Sequence, residues 1–141
     1  MADLEALVRK FVAGYQAKDF KALGEMWTED AEHTFSGVVT KGRDNIRANY
    51  ARMGTAFDSR EYKVERIHVC GNVTVNEYSE WYTQLQPVPT QFGKIEPGGT
   101  LMHIHGASIM EWEGELIKRC RVYSDGAFQM LAHSPAVTFA R

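Results

Sequence analysis

Apolar residues recur at helical spacing from the start of the chain. Leu4, Leu7, Val8, Phe11, Val12 and Tyr15 share one face, charges fill the other, and the pattern predicts an amphipathic first helix of about four turns. Asp19 stands in front of the next apolar set as a helix cap. Phe20, Leu23, Met26 and Trp27 then form the buried face of a short second helix, closed by Glu29 and Asp30. Residues 31–37 read as a short strand and 38–40 as its hairpin partner. After the break at Gly42, a third helix carries Ile46, Tyr50, Met53 and Phe57 on one stripe.

Beyond Ser59 the apolar period shortens from helical to alternating. Strands are expected over 61–70, 72–86, 100–112 and 116–124, with tight turns at Gly71-Asn72 and Glu113-Gly114-Glu115. The segment 87–99 holds three prolines and three glycines and reads as a long loop, of the kind that often serves as a lid. Gly98-Gly99 belongs to that loop and precedes no helix, so it is not a phosphate cradle.

Helices followed by long strands define an α+β domain. Three N-terminal helices are expected to pack on a strongly curved antiparallel sheet, forming a cone with one internal pocket on the concave face. A length of 141 residues fits a single domain over 1–141. The convex face then needs cover, which a homodimer supplies.

Composition narrows the partners. A net charge of −2 with no Lys/Arg-rich run argues against nucleic acid. No apolar run approaches the length of a membrane span, and the N-terminus lacks signal-peptide character, so a cytoplasmic location is expected. Cys70 and Cys120 both lie in strand text and read as reduced, half-buried small hydrophobes.

Several segments carry a resemblance. They are residues 11–23 (FVAGYQAKDFKAL), Trp27-Thr28-Glu29-Asp30-Ala31, Lys41-Gly42-Arg43-Asp44-Asn45-Ile46, Ile109-Met110-Glu111-Trp112, the turn at 113–115, and Arg121-Val122-Tyr123-Ser124-Asp125. In order and spacing they resemble the SnoaL-like, polyketide cyclase-like branch of the nuclear-transport-factor-2-like superfamily. The resemblance implies the cone fold and a pocket for a small molecule. It does not imply one reaction, because the superfamily hosts isomerases, cyclases, dehydratases, epoxide hydrolases and non-catalytic proteins.

Catalytic positions of those relatives are mostly replaced. The tyrosine and two acids of ketosteroid isomerases fall on Phe11, Phe35 and Ser108. The acid/base aspartate of the polyketide cyclases also falls on Ser108. The Asp/Arg/Asp trio of limonene-type epoxide hydrolases falls on Glu80, Tyr78 and Val122, and its water-holding pair on His33 and Phe35. The helix-1 tyrosine of scytalone-type dehydratases matches Tyr15, whereas their two catalytic histidines have no counterpart.

What remains polar is His33, Tyr78 and Glu80. Tyr78 and Glu80 are two apart on a strand and share a face, and the resemblance turns that face and His33 into the pocket. A carboxylate beside an imidazole raises the histidine pKa and orients the ring, and a tyrosine hydroxyl polarises an oxygen. These three are the expected catalytic residues. Tyr15, Phe11, Trp27, Phe35, Tyr50, Ser108 and Val122 are the expected substrate-binding wall. The plainer alternative is a buried His33–Glu80 hydrogen-bonded pair without chemistry, or a solvent-facing one.

His103 and His105 share a strand face with Glu111, but the spacing does not match a His-x-His metal motif, and His133 lies in a tail. If Ser108 faces the pocket, both histidines face away from it, toward a dimer interface. Asp125 is expected to hydrogen-bond at a strand end. The functional expectation is a cofactor-free isomerase, cyclase, dehydratase or hydrolase acting on a small, mostly apolar molecule by acid/base chemistry. The alternatives are a non-catalytic ligand-binding module and a metal-dependent enzyme using His103 and His105.

Overall fold

The chain opens with a capped helix. The computed structural model describes residues 2–90, 93–135 and, as backbone only, 137–139. Helix α1 spans Leu4–Gln16, and the Asp3 carboxylate accepts a hydrogen bond from the N–H of Ala6 at 3.1 Å. Asp19 caps α2 (Phe20–Glu25) in the same way, accepting from Ala22 at 3.1 Å. This second helix is shorter than the apolar spacing predicts. Trp27 opens strand β1 (Trp27–Phe35), and β1 turns back into β2 (Val38–Lys41). Helix α3 follows over Arg43–Ala56. Phe57 is the first residue of β3 (Phe57–Cys70), not the last of the helix stripe, and its ring packs edge-on against Tyr82 at 5.1 Å.

Strand β4 covers Val73–Gln84, and the Pro/Gly-rich segment after it is not a plain loop. It contains two short strands, β5 (Val88–Thr90) and β6 (Gly93–Ile95), which pair with each other. Strands β7 (Leu101–Glu113) and β8 (Leu116–Ser124) complete the main sheet. The C-terminal segment is not a plain tail: it forms a fourth helix, α4 (Gly126–His133), and a last strand, β9 (Val137–Phe139), which joins β6.

The six-stranded sheet runs β2-β1-β8-β7-β4-β3. Every pairing is antiparallel except one: β1 runs parallel to β8, so the sheet is mixed. Helices α1 and α3 pack against the sheet, and α4 against β7. The inner surface holds two apolar clusters. One gathers Val8, Phe11, Leu23, Trp27, Ile46, Met110, Trp112 and Ile117 with other buried residues. The other gathers Tyr82, Val88, Ile95, Met102, Ile104 and Met130. Val122 packs against both. Glu111, Arg119 and Arg121 form ion pairs at 3.2 and 3.4 Å on the opposite face of the sheet.

The cysteines divide. Cys120 is fully buried, and burial pushes its thiol up to about 12, while Cys70 at the end of β3 is exposed. Among the described residues no helix is long and apolar enough to cross a membrane.

Candidate active site

Strand β4 builds the site. Its inward row is Thr74, Asn76, Tyr78, Glu80, Tyr82 and Gln84, all buried. A central strand with so polar an inner face needs partners for each group, and most are present. Thr74 accepts from the Trp112 indole at 2.9 Å, Tyr82 donates to the carbonyl of Gly126 at 3.4 Å, and Gln84 donates to that of Ile95 at 2.8 Å.

Glu80 is the charged member of the row. Its carboxylate is 6 % exposed and accepts hydrogen bonds from the hydroxyls of Tyr15 and Ser59, both at 2.7 Å. Both end on Oε2, so among the described residues Oε1 has no donor. Burial raises the Glu80 pKa, against the opposing pull of the two hydroxyls. Tyr15 is held well above its ordinary value, by burial first and the Glu80 charge second. It is therefore a neutral donor at any working pH. Tyr78 is also raised, again mainly by burial, and its hydroxyl meets that of Ser124. Gly106, opposite Tyr78 in the register, makes room for that ring: a Cβ there would lie 2.6 Å from the Tyr78 hydroxyl oxygen.

His33 is not paired with Glu80. The inner face of β1 buries the ring to 6 % exposure, and its Nε2 meets the Tyr50 hydroxyl at 3.2 Å. Burial lowers its pKa to about 4, the reverse of the expected rise, because no carboxylate offsets the loss of water. The imidazole is neutral at pH 7. Aromatic contacts join the two groups at a distance: His33 packs on Tyr50 at 5.4 Å, Tyr50 on Tyr15 at 6.3 Å, and Tyr15 bonds Glu80. Phe11 and Trp27 pack on this same set. Phe35 pairs with Val122 across β1 and β8, and Ser108 is buried on β7 beside Val122.

The rings of Phe11, Tyr15, Trp27, His33 and Tyr50 pack against one another on the inner side of the sheet. Two recesses lie on the outside. One is lined by Glu29, Gly42, Arg43, Asp44 and Asn45; the other lies between α1 and β3 and reaches Tyr62.

Three contributors escaped the sequence reading: Ser59, Tyr62 and Asn76. The Tyr62 ring stacks on Tyr78 at 4.7 Å and packs edge-on to Tyr15 at 5.6 Å, and its hydroxyl accepts from Asn76 at 2.9 Å. Asn76 was legible, since it shares the parity of Tyr78 and Glu80. Ser59 and Tyr62 were not, because register shifts at 59/61 and 64/66 change which parity of β3 points inward.

His103 and His105 lie on the outer face. His103 stacks on Trp81 at 4.1 Å, and the two histidine rings are 4.2 Å apart. His105 Nδ1 lies 3.8 Å from Asp125, whose other oxygen accepts from the backbone N–H of His105 at 2.8 Å. Among the described residues no set of three or more His, Cys, Asp or Glu side chains is gathered closely enough to hold a metal ion.

Helices closing over a curved sheet give the cone fold of the nuclear-transport-factor-2-like proteins. The chain belongs to the SnoaL-like family, whose SnoaL-like domain model matches residues 8–120. No curated protein matches the sequence. Among solved structures, a candidate SnoaL-like polyketide cyclase from Jannaschia sp. superposes with a TM-score of 0.78 at 20% identity, covering 94% of this chain and 92% of its own. A hypothetical protein of ketosteroid isomerase-like fold from Catenulispora acidiphila, in complex with trimethylamine, gives 0.73 at 18% identity over 91% of each chain. An LEH-like epoxide hydrolase from M. tuberculosis gives 0.67 at 16% identity, over 91% of this chain and 86% of its own. At these identities the likeness is one of fold.

Proposed function

We propose that the protein is a cofactor-free acid/base enzyme that moves a proton on a small, mostly apolar molecule, with Glu80 as the group that takes and returns it. The observation that carries this reading is the Glu80 carboxyl itself. It is buried, its pKa is raised, and two hydroxyls hold one oxygen while the other is left without a donor. Burial makes a carboxylate a stronger base, and fixing Oε2 aims Oε1. In this reading Tyr78 polarises an oxygen of the substrate. His33, neutral and bonded to Tyr50, acts as a positioning residue. Phe11, Trp27, Phe35, Tyr50, Ser108 and Val122 shape the apolar wall. The step that suits one carboxylate among neutral hydroxyls is removal of a proton from a carbon beside a carbonyl, with the enolate oxygen hydrogen-bonded. Isomerisation and ring closure both begin with that step. Two copies meeting through the outer sheet face complete the proposed assembly.

A second reading is a ligand-binding module without turnover. His33 has no carboxylate partner, so Glu80 works without the histidine that acid/base pairing calls for.

Solvent exchange separates the two. In D₂O, a panel of bicyclic ketones such as 2-tetralone should take up deuterium faster with the wild type than in buffer. Glu80→Gln should lose about 100-fold or more of that acceleration while remaining folded. Ketones that bind yet exchange equally fast with wild type, Glu80→Gln and buffer would favour the binding module.

A further inference from the structure

Asn76 carries an unmet hydrogen bond in the middle of the sheet. The side chain is 1 % exposed, its Nδ2 donates to the Tyr62 hydroxyl, and its Oδ1 has no partner among the described residues. Turning the amide end for end gives no relief: Oδ1 would then accept from Tyr62 and Nδ2 would be left without an acceptor. A buried amide with one idle end is a standing cost to the fold, whereas Thr74, Tyr82 and Gln84 of the same row each have a partner.

The surroundings suit a ligand atom. Ser108 lies directly across from Asn76 in the β4–β7 register and is buried on the same inner face. Tyr62 covers the amide from the β3 side and stacks on Tyr78. It also lines the outer groove between α1 and β3, with Arg9, Val12, Gln16 and Lys63. Register shifts flank it on both sides, so β3 is least regular where this ring is mounted. Tyr62 thus stands between the groove and the idle amide.

We infer that Asn76, with Ser108 beside it, is a second polar subsite that binds a hydroxyl group of the substrate, which donates to Asn76 Oδ1, reached by turning Tyr62 aside. Glu80 lies four residues along the same face of β4, about 13 Å away at the α carbons. The ligand is therefore elongated, with an oxygen at the Asn76 end and the reacting carbon at the Glu80 end. The place of the reacting carbon rests on the acid/base reading above; the oxygen subsite does not.

The probes are 2-naphthol and naphthalene, which differ by one hydroxyl, followed by NMR titration of the full chain. Wild type should prefer 2-naphthol by about tenfold, the value of one good hydrogen bond to a buried polar group. Asn76→Leu should erase that preference and Glu80→Gln should keep it. In the wild type, the Asn76 side-chain amide resonances should move with 2-naphthol and stay with naphthalene. That measurement decides alone should Asn76→Leu fail to fold. A wild type without preference, or a preference that survives Asn76→Leu, overturns the subsite. A preference lost only in Glu80→Gln also overturns it, and leaves Glu80 as the group that reads the hydroxyl. Preference lost in Asn76→Leu together with no deuterium exchange keeps the subsite and removes the enzymatic reading.

Discussion

Two buried titratable side chains pull stability in opposite directions. Glu80 has a raised pKa, so the folded protein holds its proton more tightly than the unfolded chain. Stability therefore falls as pH rises from about 4.5 through the folded value. Glu80→Gln should raise the melting temperature at pH 7, and the gain should vanish below the window where both states are protonated. Thermal melts across pH check this; a destabilised Glu80→Gln at neutral pH would speak against a strained carboxylate. His33 behaves the other way. Its folded pKa of about 4 lies below the ordinary 6.5, so the unfolded chain takes the proton first. Its contribution is full above about pH 6.5 and is lost as pH falls to about 4, by roughly 3 kcal/mol over the window. His33→Gln keeps a polar partner for Tyr50 and should flatten that acid limb in denaturant titrations. At this scale the inward parity of Tyr78 and Glu80 was legible in their spacing, but their partners were not. Tyr15 lies 65 residues from Glu80, and no local pattern encodes such a contact.

Strand order and register decide which of those side chains can meet. Most elements were legible because their periods are strong: β8 begins and ends where alternation and the flanking turns place it. The errors cluster where a local rule changes hands. Trp27 continues an apolar helical stripe but opens a strand, because the Met26 carbonyl already accepts from Ile117 of β8. Residues 126–133 carry helical spacing too short to stand alone, and α4 forms only by packing on β7. Prolines and glycines masked two short strands. Register has an energetic signature at Gly106, where strands β4, β7 and β8 meet. A methyl group there would lie 2.6 Å from the Tyr78 hydroxyl oxygen and 2.9 Å from Ser124 Cβ. Gly106→Ala should cost about 1–3 kcal/mol through overpacking, read by chemical denaturation. A neutral result would mean that the Tyr78 ring is free to move.

At the scale of the molecule, the mixed sheet sets an inner face against an outer one. The parallel β1–β8 pairing joins segments with α3 and strands β2 to β7 between them, which alternation alone does not reveal. The outer face carries the Trp81–His103–His105 stack, the Glu111 ion pairs and a Tyr123 that is 60 % exposed. Exposed aromatic surface of this kind suits a self-complementary contact. Sedimentation should show a dimer at micromolar concentration, weakened by Tyr123→Glu; a stable monomer contradicts that assembly. In the proposed enzyme the interior keeps the Glu80 carboxyl ready to take a proton. The most direct test of that readiness is the ¹³C chemical shift of the Glu80 carboxyl followed against pH in the intact protein. The midpoint should lie above 4.5 and move higher still in Ser59→Ala as one donor to the charged form is lost. A midpoint at or below 4.5 would contradict it.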